Sequence, residues 1–99
     1  IGFNSQEKAK KPLASTLLRT IMNKGVKAAI QQYHDLKKNE PDSYNFAESE
    51  LNSLGYRLLR TEKINEAIEI FKLNVEVYPE AFNTYDSLGE GYMHAGDNE

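Results

Sequence analysis

Residues 51–79 read "LNSLGYRLLRTEKINEAIEIFKLNVEVYP", and the spacing of the apolar residues in this stretch decides the fold. Leu51, Leu54, Gly55 and Leu58 stand at i, i+3, i+4 and i+7, one stripe of an α-helix. Ala67, Phe71 and Asn74 form the facing stripe of a second helix, with Ile64, Ile68 and Val75 beside it. Between them "RTEK" is a short polar turn, so the two helices must run antiparallel. A glycine inside a helical stripe costs about 1 kcal/mol relative to alanine. Gly55 is therefore expected where a neighbouring helix crosses too closely for a side chain. Ala67 permits the same approach, and Phe71 fills the volume beside it. Pro79 ends the second helix, because the residue before a proline is pushed out of the α region.

The pattern repeats on both sides. Leu51, Leu54, Gly55 and Leu58 recur 34 residues later as Tyr85, Leu88, Gly89 and Tyr92. Ala67, Ile68, Phe71 and Pro79 have counterparts 38 residues earlier in Ala29, Ile30, Tyr33 and Pro41. The earliest unit is degenerate: Leu13, Leu17, Ala29, Tyr33 and Leu36 hold the key places, without a Leu-Gly pair. Pro12 suits a helix start and Gly25 a turn. The 38-residue offset implies about one extra helical turn, "YNFA", with Asp42 or Ser43 as N-cap. Five helices are expected, near 12–24, 26–39, 43–60, 63–78 and 81–95, with 1–11 a flexible arm or linker.

Within the full unit 44–81, residues 48–81 resemble a tetratricopeptide repeat, a helix–turn–helix unit of 34 residues. The family places are held by Leu51, Leu54, Gly55, Leu58, Ala67, Phe71 and Pro79. Asn74 stands where alanine is usual, and Glu62 where glycine is common in the turn. The half unit 82–99 matches at Tyr85, Leu88, Gly89, Tyr92 and Gly96, and residues 12–43 form the degenerate one. The resemblance implies an all-α fold of antiparallel helix pairs stacked as a short right-handed superhelix. It also implies a non-catalytic module that binds a peptide or partner domain in its groove. In the family the groove positions are those between the buried places of each unit's first helix. Here they are Ser49, Asn52, Tyr56 and Arg60, then Asn83, Asp86, Glu90 and Met93. Arg60 is suited to take a carboxylate bidentately. The Lys/Asn clamp for C-terminal carboxylates in some chaperone-binding relatives is not met at Asn52 and Tyr56.

The run from Leu51 to Met93 is also similar to repeat tails attached to bacterial serine hydrolases of the β-lactamase-related and esterase types. That likeness implies a structural or regulatory C-terminal tail, in a periplasmic or secreted parent. It would suit a chain that begins at Ile1 rather than Met.

Composition limits the chemistry. The chain has 99 residues, no cysteine and a formal net charge of −3. A disulfide framework and thiolate metal sites are thereby excluded. Residues 1–38 carry +6 and residues 39–99 carry −9. The basic first third reads as a solvated lysine face on short helices, since no arginine cluster or aromatic platform marks a nucleic-acid site. No apolar run is long enough to span a membrane. His34 and His94 are isolated. Ser5 and Lys8 match an S-x-x-K spacing without the accompanying elements of a β-lactamase. The carboxylate pairs Glu48/Glu50 and Glu66/Glu69 read as helix surface, and Asp97 as a helix N-cap. No catalytic residue, metal ligand or cofactor is expected. The helix at 81–95 is expected to present Tyr85, Leu88 and Tyr92, with the Gly89 notch, to a helix absent from the sequence. Self-association through that stripe, as a homodimer, follows as an expectation.

Overall fold

The computed structural model describes residues 10–96. Among them are five helices: α1 (Leu13–Lys24), α2 (Val26–Asn39), α3 (Glu48–Arg60), α4 (Ile64–Val77) and α5 (Phe82–His94). The chain is all-α, with one small addition. Strand β1 (Lys11–Pro12) pairs in parallel with strand β2 (Tyr44–Asn45), Lys11 against Tyr44 and Pro12 against Asn45. Lys11, expected in the arm, is thus tied down, its amide donating to the Ser43 carbonyl at 2.9 Å. The rest of that expected arm, residues 1–9, lies outside the described residues.

Helices α1, α2, α4 and α5 begin and end within one residue of the bounds that periodicity gives. Helix α3 does not. It begins at Glu48, behind an Ala47 cap with extended backbone, so the extra helical turn expected over "YNFA" is absent. Asp42 and Ser43 cap no helix. Tyr44 and Asn45 are extended because β1 satisfies their backbone. The Asn45 side chain accepts the Ala47 amide at 3.0 Å, a local hydrogen bond that competes with helix. Two residues apart on an extended segment, Tyr44 and Phe46 meet at 6.4 Å, and Phe46 also meets Tyr33 edge-on at 5.7 Å. The Tyr78 hydroxyl donates to the Phe46 carbonyl. The segment is an aromatic clamp between α2 and α4 rather than a helical turn.

The turns carry the backbone that their sequence demands. A single residue, Gly25, joins α1 to α2 at φ 99°, where only glycine escapes steric cost. Between α3 and α4 the left-handed place falls to Glu62, at φ 64°. Its amide bonds Leu59 at 3.0 Å and the Lys63 amide bonds Leu58 at 2.8 Å, a Schellman ending.

The helices lie in two layers. Helix α3 touches both α1 and α5 to make one layer, and α2 touches α4 to make the other. Each pair, α1 with α2 and α3 with α4, packs across the layers, and α5 joins α4 in the same way. One continuous core runs through them, from Leu13, Leu17 and Tyr33 at one end to Leu54, Ile70 and Phe71 at the other. Gly55 lies at the tightest crossing: a Cβ there would stand 2.2 Å from the Phe71 ring. On the other side of that ring is Gly91 of α5, whose Cβ would meet Phe71 at 3.2 Å and Ile68 at 3.1 Å. One fully buried phenylalanine is thus held between two glycines of adjacent helices.

Candidate functional site

The layer α1–α3–α5 carries the groove positions read from the sequence. Helices α3 and α5 lie side by side, and two hydrogen bonds couple them. The Tyr56 hydroxyl donates to Glu90 Oε1 at 2.6 Å. The Ser87 hydroxyl donates to Asn52 Oδ1 at 2.5 Å. The Tyr56 ring also lies edge-on to Phe71, with centroids 5.2 Å apart. The bond to Glu90 raises the Tyr56 phenol above its ordinary pKa, because a neighbouring carboxylate favours the protonated hydroxyl.

Three of the eight expected groove residues take part in contacts between the helices. Asn52, Tyr56 and Glu90 have their polar atoms engaged between helices, and Asn52 and Tyr56 are half-buried. The bonded partners lie 34 and 35 residues apart, at or one residue beyond the offset at which the apolar stripe of α3 recurs in α5. The other five expected residues, Ser49, Arg60, Asn83, Asp86 and Met93, are exposed. Ser53 and Arg57 of α3 are exposed as well, and sequence reading passed them over. The signal available for them was simple: Ser53 and Arg57 follow Ser49 at successive steps of four. Among the described residues the one ion pair is Lys72 with Glu69 on α4, at 3.8 Å. Arg57, Arg60 and Asp86 therefore present charges with no oppositely charged partner among the described residues.

The residues expected for self-association divide. Tyr85 is 47% exposed, its hydroxyl donating to the Pro79 carbonyl at 2.7 Å. Leu88 is half-buried against the core, and Tyr92 is half-buried beside Ile68 and Val26 in a shallow outer cleft. Gly89 faces open space, with nothing within 4 Å of a Cβ placed there.

Other groups have structural duties. Glu50, read as a surface carboxylate, accepts the Ala14 amide at 2.9 Å and so serves the start of α1. Asn74, in the place where alanine was expected, is fully buried, and its amide donates to the Glu48 carbonyl at 3.2 Å. Burial, reinforced by Tyr78, pushes the Tyr33 phenol up to about 12. Among the described residues no three His, Asp or Glu side chains gather as metal ligands, and no helix is long and apolar enough to cross a membrane. Ser5, Lys8 and Asp97 lie outside the described residues. Comparison with family models, with curated proteins and with solved structures gives no match.

Proposed function

We propose that this chain is a protein-interaction module of the tetratricopeptide-repeat type, binding a peptide segment of a partner across the α3–α5 face. The observation that carries this reading is the combination of locked scaffold and unpaired charge. Tyr56 with Glu90 and Asn52 with Ser87 fix α3 against α5. Around them Arg57, Arg60, Asn83 and Asp86 are exposed on the same two helices. A face whose own frame is already fixed orders little on binding, which favours affinity. Arg60 offers a planar fork for a carboxylate, and Asn83 with Ser49 can bond a peptide backbone. Among the described residues no buried acid or base faces this surface, as acid–base catalysis would require. On the same reading a second copy of the chain is also a partner, through α5.

The test uses a random peptide library displayed on phage, selected on the immobilised chain. Peptides are expected to be enriched. Changing Arg60→Ala, Asn83→Ala and Asp86→Ala together should weaken their binding by roughly tenfold or more while Tm stays unchanged. No enrichment, or enrichment indifferent to the triple change, would refute the reading.

A further inference from the structure

We propose that α5 pairs with α5 of a second copy, antiparallel and two-fold, with Gly89 at the crossing point. The proposal rests on the second-copy part of the reading above and fixes its geometry. Four large apolar side chains are conspicuously exposed among the described residues, and three belong to α5: Phe82 at 85%, Tyr85 at 47% and Met93 at 63%. With Gly89 they stand at positions 0, 3, 7 and 11 of one helical stripe. Such concentration on a single helix marks an interaction face, whereas scattered exposed residues need no explanation.

The stripe fits itself. About a two-fold axis through Gly89, antiparallel helices bring Gly89 against Gly89 and Tyr85 against Met93, with Phe82 reaching past the last turn of the partner's α5. The central contacts are then small against small and aromatic ring against thioether, the last a favourable pairing. A crossing at two glycines lets the helix axes approach to about 8 Å, the short end of helix–helix distances. Gly89 has nothing near it within one copy, unlike Gly55 and Gly91, whose notches are filled by Phe71 and Ile68. Tyr85 is already pinned by its bond to Pro79, so its ring loses little freedom on association. The antiparallel register also opposes the two helix dipoles favourably. One helix face against another lies at the low end of specific interfaces, below about 1,200 Å² in total. Association is accordingly weak, with a dissociation constant on the order of 10–100 μM.

Sedimentation equilibrium of the chain up to about 0.5 mM, several times that constant, should show a monomer–dimer equilibrium. Gly89→Leu should remain folded, since the site is open, yet raise the dissociation constant more than roughly tenfold. The natural chain has no cysteine, so single cysteines report geometry cleanly. Under mild oxidation Gly89→Cys should cross-link to its copy, and Phe82→Cys should not, because antiparallel α5 helices hold the two 82 positions about 20 Å apart. A strictly monomeric wild type, a Gly89→Leu dimer of undiminished affinity, or cross-linking at 82 comparable to that at 89 would each overturn the proposal. These outcomes do not depend on peptide capture, so failure of the groove reading and failure of the dimer are separable.

Discussion

At the scale of single residues, glycine position decides how the helices meet. Phe71 lies between Gly55 on α3 and Gly91 on α5, and neither glycine has room for a methyl group without displacing buried atoms. Gly55→Ala should lower stability by about 1–3 kcal/mol, because a Cβ at 2.2 Å from a fully buried ring forces overpacking. Gly89→Ala is the control: it stands in open space on a helix, and should raise stability by up to about 1 kcal/mol. Urea unfolding of dilute samples distinguishes the two signs. Glu62 supplies a third case. It adopts the left-handed backbone at φ 64°. That conformation costs a side-chain-bearing residue about 1–2 kcal/mol, and glycine avoids it at a somewhat smaller entropic loss. Glu62→Gly should therefore stabilise by about 0.5–1 kcal/mol, read as a raised urea midpoint. A lowered midpoint would contradict the turn assignment. Gly55 was legible in the sequence because it interrupts an otherwise apolar stripe, and Glu62 because its place in the turn favours glycine. Gly91 was not legible. Its role depends on α4 lying against α5, a contact that no local spacing encodes.

At the scale of elements, periodicity located four helices because each has an apolar stripe and a defined stop. It failed over Tyr44–Ala47, where helical spacing and extended pairing were both open to the chain. Pairing with Lys11–Pro12 won, helped by the Asn45 side chain and by Tyr33 and Tyr78 closing on Phe46. The same limit hid Glu50. Its partner at the start of α1 lies 36 residues away, so nothing near Glu50 distinguishes it from a solvated carboxylate. Helix α1 has no side-chain cap of its own, and Pro12 precedes it. The Glu50 carboxylate satisfies one free amide and opposes the positive end of the helix dipole. Glu50→Ala should cost about 1–2 kcal/mol and loosen α1 first. Amide exchange is expected to quicken at Ala14 and Ser15 before it does in α4. Uniform acceleration across α1 and α4, or none, would show that Glu50 does not hold this element.

At the scale of the whole molecule, two layers of helices divide the work. The core between them is continuous and apolar, and the α3–α5 layer presents polar and charged groups in a fixed arrangement. Sequence periodicity reached the all-α architecture, and the resemblance to the repeat family pointed to residues of that layer. Neither foresaw the bonds of Tyr56 to Glu90 and of Asn52 to Ser87, because a position open to a groove can also touch the neighbouring helix. Which of the two duties a residue has depends on the distance between stacked helices, set by Phe71 and its two glycines. The central claim is that Ser49, Arg57, Arg60, Asn83 and Asp86 form one ligand face on that scaffold. The most direct measurement is an amide-resolved NMR titration of the labelled chain with a library-selected peptide. The account predicts shift changes at those residues, with α2 and the outer side of α4 unchanged. Perturbation confined to the outer clefts around Ile30, Lys72 and Glu76 would contradict it.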